Sequence, residues 1–132
     1  MKITADTNVL VRAVTGDHAQ QSKAAQAVLD KADLIALPIS ALCELVWVLS
    51  QGYKILPRDI AETIRRLVGG ANVAVNRPAA QAGLALLDAG GDFADGVIAY
   101  EGHWLGADTF VSFDKQAVKL IEAQGSAVRQ LA

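Results

Sequence analysis

The sequence predicts an α/β domain built on a mainly parallel central sheet with helices on both faces. Three observations carry that expectation. Short β-like runs alternate with segments of helical period along the whole chain, the pattern of a parallel sheet covered by helices. A length of 132 residues suits one domain spanning 1–132, able to bury roughly two thirds of its unfolded surface around a single core. Apolar residues at 52% against charged residues at 20% exclude disorder, and no repeat, low-complexity tract or linker interrupts the pattern.

The elements follow in order. "KITA" (2–5) reads as a strand, then "NVLVRAV" as a short helix closed by a turn at Thr15–Gly16–Asp17. Residues 19–32 form a helix and "DLIALP" (33–38) a strand. "ISALCELVWVLSQ" (39–51) is a helix with Ser40 as its N-cap. "PRDIAETIRRLV" (57–68) opens on Pro57, keeps Ile60, Ile64, Leu67 and Val68 at helical spacing, and ends at Gly69–Gly70. "NVAV" (72–75) is a strand and 78–89 a helix. "DFADGVIAYEGHWLGA" opens another helix, "DTFVSF" (108–113) is a strand, 115–124 a helix, and "AVRQL" (127–131) an alternating, edge-like strand.

Charge and cysteine usage narrow the function classes. A net charge of −2 and a pI near 5.6 argue against coating nucleic acid by bulk charge, though not against a local site that grips a few phosphates. The lone Cys43 can form no internal disulfide, which suits a reducing cytosol. "MKITADTNVL" lacks the features of a signal peptide. No apolar run reaches the roughly 18 residues that span a bilayer. The expectation is a soluble cytoplasmic domain with no membrane partner.

In parallel α/β folds, sites form outside the carboxyl ends of the strands, so the polar residues at those ends matter. Asp6 ends the first strand, and alone it reads as an N-cap. Glu44 is the only charge between Ile39 and Leu49. The helix around it is apolar nearly all round, so Glu44 should be buried and in need of a cation, a polar cluster or a cavity. A place at an exposed seam of the helix is the plainer alternative. Asp92 and Asp95 open a helix as a capping-box-like pair favoured by the helix dipole. Asp114 follows "TFVS" and alone is again a cap. Taken together, Asp6, Glu44, Asp95 and Asp114 can all face one edge of the sheet. Carboxylates gathered there would repel by about 2–4 kcal/mol per close pair at an effective dielectric near 20. A divalent cation resolves that repulsion, and all-oxygen ligands select Mg²⁺ or Mn²⁺ over Zn²⁺.

"ADTNVLVR", "ISALCELVWVL" and "DFADGVIAYEGHWLGADTFVSFD" resemble the successive motifs of the PIN domain family. They are most similar to the VapC-type toxins of bacterial type II toxin–antitoxin modules, over the whole length of the chain. By that resemblance Asp6, Glu44, Asp95 and Asp114 take the places of the family's acidic metal-site residues. Asp92 stands at a place often acidic in the family, and Thr7 and Ser112 match small hydroxyl residues beside the first and last acids. Gly96 departs from the pattern, which usually has Ala there; Gly costs a helix about 1 kcal/mol but leaves the acid in place.

The resemblance implies a Mg²⁺-dependent ribonuclease, with Mn²⁺ as a substitute, cutting RNA phosphodiesters by metal-activated water. Asp6 and Asp95 would ligate directly, Glu44 and Asp114 through water or a second metal, with Asp92 a further ligand. A homodimer and a small cognate antitoxin follow from the resemblance alone.

Other residues read more simply. His18 and His103 lack a ligand partner at useful spacing, and Cys43 reads as a core thiol. Trp47 and Trp104 read as packing or interface residues. Arg58, Glu62 and Arg66 form i,i+4 pairs on a solvated face. Arg12, Lys115 and Lys119 are phosphate-contact candidates. Two other readings stand beside the nuclease. A catalytically silent PIN-like interaction module would lack metal-dependent cleavage. A signalling receiver domain would pair acids after its first strand, whereas here Asp6 stands alone and no acid follows "NVAV".

Overall fold

Runs of β-branched and aliphatic residues bounded by caps and turns produce five short strands. In the computed structural model, which describes residues 1–132, the chain divides into two compact units, Met1–Asn76 and Arg77–Ala132. All strand pairing is parallel and falls into two sheets, one in each unit. The α/β class is therefore as expected, with the strands hydrogen-bonded as a three-stranded and a two-stranded sheet.

The first unit runs β1 (Lys2–Thr4), α1 (Thr7–Thr15), α2 (Ala19–Lys31), β2 (Leu34–Leu37), α3 (Ile39–Trp47), a π-helical turn (Val48–Gly52), α4 (Pro57–Val68) and β3 (Val73–Val75). Its strands lie in the order β1-β2-β3, with Lys2 opposite Leu34 and Ile35 opposite Val73. Parallel neighbours cannot be joined by a tight hairpin, so helices fill both connections. The core of this unit holds Leu10, Leu42, Leu45, Leu49, Ile60 and Ile64, all buried. Asn72 fastens the chain before β3 by donating from Nδ2 to the Ala32 carbonyl at 3.0 Å.

Two expectations about α3 are corrected. Pro38 occupies the N-cap position and no side chain caps the helix there, so Ser40 is not the cap. Pro lacks the N–H that would need a partner, which makes it cheap at a helix entrance. The helix also has an exposed seam. Ala41, Leu42, Leu45 and Val46 are buried, but Ser40, Glu44 and Trp47 are exposed, Trp47 at 65%. That spacing is one face of a helix. Glu44 sits in solvent contact rather than in the core, and the burial argument for it fails.

The second unit runs α5 (Arg77–Asp88), α6 (Phe93–Trp104), β4 (Thr109–Ser112), α7 (Lys115–Ala123) and β5 (Ala127–Gln130), with Thr109 opposite Ala127. Its core gathers Leu84, Leu86, Phe93, Val97 and Ile121. Helices α5 and α6 approach closely because two glycines let them. A Cβ on Gly83 would lie 2.7 Å from Phe93 Cε2, and one on Gly96 would meet the Ala82 carbonyl oxygen. Gly96 therefore offsets its cost to helix propensity with backbone contact that Ala would block.

Candidate functional site

In the first unit the acids sit at the carboxyl edge of neighbouring strands. Asp6 follows β1 and caps α1, its Oδ1 accepting the Thr7 N–H at 2.7 Å. The Thr7 hydroxyl donates to Glu44 Oε2 at 3.0 Å. One threonine thus orients two carboxylates, Asp6 through its amide and Glu44 through its hydroxyl. With Pro38, Ser40 and Ala41 they line a pocket of about 210 Å³. The structure therefore brings Asp6, Thr7 and Glu44 together.

In the second unit Asp92 caps α6, its Oδ1 accepting from the Ala94 N–H at 3.2 Å. Asp114 follows β4 and caps α7, its Oδ1 accepting from the N–H groups of Gln116 and Ala117 at 3.0 and 3.1 Å. Ser112 Oγ accepts the Asp114 N–H at 3.0 Å and fixes the turn that presents this acid. Asp95 lies in the first turn of α6, half-buried. Its carboxyl is pushed above its ordinary 3.8 by burial first, then by the negative charges of Asp92 and Asp114. Those two acids are close enough to resist its ionisation, and no ion pair within the unit relieves it.

Capping and site membership are compatible here. Asp6, Asp92 and Asp114 each spend only Oδ1 on the helix they cap, leaving Oδ2 without a protein donor. Asp95 caps nothing. In neither unit are three His, Cys, Asp or Glu side chains gathered closely enough to cage an ion by themselves. The donor chemistry, carboxylate oxygen throughout, is that of hard divalent cations. The residues fit such an ion in type and in their spare oxygens.

The remaining candidates separate. Arg12 is engaged by its own unit, with Nη1 on Asp17 Oδ1 at 3.0 Å and Nε on Gln21 Oε1 at 2.7 Å. Lys115 and Lys119 are exposed on α7. His18 caps α2, its Nδ1 accepting the Gln21 N–H at 3.2 Å. Arg66 pairs with Glu62 on the outer face of α4. Cys43 is half-buried rather than a core thiol. Trp104 is 79% exposed, so it packs no core. Sequence reasoning missed Ser40 as a pocket-lining residue, having taken it for a cap. It also missed the carboxylate of Asp17, which collects Arg12, Thr15 and Tyr53. No periodic or motif signal marks either.

No helix is long and apolar enough to cross a membrane. A search of curated proteins returned no match. The family model of the PIN domain matches residues 3–122. PIN domains are typically nucleases acting on nucleic acids, and they generally use divalent metal ions. Acids at the carboxyl ends of parallel strands, fixed by Thr7 and Ser112, and a match covering nearly the full length make this chain a member of the PIN domain family.

Proposed function

We propose that the chain is a Mg²⁺-dependent endoribonuclease and the toxin of a VapC-type type II toxin–antitoxin module. The observation that carries the reading is Asp95. It is a half-buried carboxyl held beside Asp92 and Asp114, with no ion pair to offset them. Such an arrangement costs stability and serves a site better than a scaffold.

In this reading Asp6 of the first unit and Asp95 of the second would each supply a direct ligand, Glu44 and Asp114 would act through water or a second ion, and Asp92 would be a further ligand. A divalent ion, when bound, activates water for in-line attack on a phosphodiester and neutralises the charge that develops. Thr7 keeps Asp6 and Glu44 oriented before substrate arrives. Ser112 does the same for Asp114 through its backbone. Lys115, exposed beside Asp114, offers a cation to a substrate phosphate. Arg12 keeps Nη2 available for the same purpose.

RNA as substrate, a homodimer and a small antitoxin belong to the same reading, as does a place in the cytoplasm. Ile98, Trp104, Leu105 and Phe113, all more than half exposed in the second unit, supply apolar surface of the kind protein partners cover.

Purified protein should cut RNA with Mg²⁺ or Mn²⁺ and stop with EDTA. Cleavage that survives thorough chelation removes the metal mechanism, and no cleavage of any RNA with either ion leaves a silent interaction module.

A further inference from the structure

Two hydrogen bonds tie the α1 segment to the α3 segment. The Thr7 hydroxyl donates to Glu44 across 37 positions of sequence, and the Tyr53 hydroxyl donates to Asp17 Oδ2 at 2.6 Å across 36. The two segments therefore run in the same direction, in registers that differ by one residue. The first bond lies in the pocket of Asp6 and Glu44. The second lies beyond the far end of α1.

That far end is built around one carboxylate. Asp17 Oδ1 accepts from Arg12 Nη1 at 3.0 Å and from Thr15 Oγ1 at 2.8 Å, while Oδ2 takes Tyr53. Arg12 in turn reaches Gln21 on α2. Gly16 closes α1 at φ 66, a left-handed turn that sends the chain back towards Asp17. The acid is depressed from 3.8 to about 2, by the Tyr53 hydroxyl first and then by Thr15 and Arg12. It accepts as an ionised group across the working pH range.

The π-helical turn explains how Tyr53 reaches it. In an uninterrupted α-helix nine residues make two and a half turns, so Tyr53 would point away from the side that carries Glu44. Here the Tyr53 N–H donates to the Val48 carbonyl at 3.2 Å, five residues back, and the Ile55 N–H reaches Leu49 at 3.1 Å. The wider turn slows the rotation and leaves the phenol on the α1 side. Turns of this kind occur often at functional sites.

We propose that Tyr53 and Asp17 are positioning residues: their bond fixes the register in which α1 presents Asp6 and Thr7 to Glu44. The proposal rests on the nuclease reading above for its consequence in catalysis. Leu10 and Val11 bury one face of α1 in the core, and the Thr7–Glu44 bond ties its first turn to α3. A second rung ten residues further along ties its far end and so fixes how the helix is set along that packed face. Misplacing reacting groups by about 1 Å can cost roughly a hundredfold in rate, so a partial loosening should cost about tenfold.

The test is Tyr53→Phe in the full-length chain, which keeps the ring and removes only the hydroxyl. RNA cleavage with Mg²⁺, measured well below both melting points, should show kcat about tenfold lower with KM within about twofold. In metal-free protein at fixed pH, the ¹³C resonances of the Glu44 carboxyl and the Thr7 methyl should both move. Resonances that stay in place overturn the proposal whatever the cleavage rate, and so do moved resonances with unchanged kcat. If wild-type protein cuts no RNA, the nuclease reading fails and the resonances alone decide the register claim. Asp17→Ala is the second variant should the first fail to fold. An Asn amide could still donate to the Tyr53 oxygen, whereas Ala removes the partner of both the phenol and the Arg12–Thr15 pair, and the same shifts are expected.

Discussion

Asp95 differs from Asp6, Asp92 and Asp114 in capping no helix, and its linkage to folding has the opposite sign from a paired carboxylate. Its folded-state pKa is raised, so ionisation disfavours the fold at pH values above that pKa. Metal-free Asp95→Asn should therefore melt at or above wild type at neutral pH, and the difference should vanish below pH 3.8, where both states are protonated. Mg²⁺ at ten times its dissociation constant should add about 1.4 kcal/mol to wild type, a rise of roughly 2–5 °C. The variant should lose most of that rise. A variant that is less stable in EDTA yet keeps the full Mg²⁺ shift would make Asp95 merely a first-turn residue favoured by the helix dipole. Ser22 offers a second residue-scale expectation, since its Oγ is buried without a hydrogen-bond partner. Ser22→Ala should be neutral or stabilising by up to about 1 kcal/mol, read from the denaturant midpoint, and a clear loss would reveal a partner. The acids at helix starts were legible because capping favours Asp where a strand gives way to a helix. Asp17 was not, because its partner Tyr53 lies 36 positions away with no period to announce it.

At the scale of elements, α3 shows both the reach and the limit of pattern reading. Its existence follows from spacing, but its exposed seam does not, because Trp47 and Cys43 count as apolar wherever they point. Glu44 consequently rests on its bond to Thr7 rather than on burial. Glu44→Gln keeps the shape and should lower turnover sharply with the melting temperature little changed; turnover within about threefold of wild type would make Glu44 a surface residue. Helices α5 and α6 give the converse case. Gly96 looked like a weakness in a helix and is instead the point of contact with Ala82. Gly96→Ala gains about 1 kcal/mol in propensity but inserts a methyl where overpacking costs about 1–3 kcal/mol. A net loss on the order of 1–2 kcal/mol is expected in chemical denaturation, and an unchanged or raised midpoint would mean the helices part without cost.

For the whole molecule, the alternation of strands and helices made the α/β class legible, since parallel pairing follows from helix-filled connections. The division of strands between two sheets did not show, because pairing partners are set by packing rather than by local pattern. Acid stability should carry the signature of Asp17. A depressed pKa of about 2 means its contribution is fully present above 3.8 and is lost as pH falls through 2. Melting curves of wild type and Asp17→Asn between pH 5 and 2 should converge towards the acid end. Parallel curves throughout would show that ionised Asp17 adds no stability.

The registers of the strand pairs also set an order of events in folding. Partners Lys2 and Leu34 are 32 positions apart, Ile35 and Val73 are 38, but Thr109 and Ala127 only 18. Each doubling of a closed loop costs about 0.6 kcal/mol in chain entropy, so β4 and β5 should find each other about threefold more readily than β2 and β3. On dilution from denaturant, amide protection should appear first in β4 and β5. During synthesis the sequence of events inverts, because β1, β2 and β3 leave the ribosome first and domains fold as they emerge. The same chain should therefore begin folding at opposite ends in the test tube and in the cell.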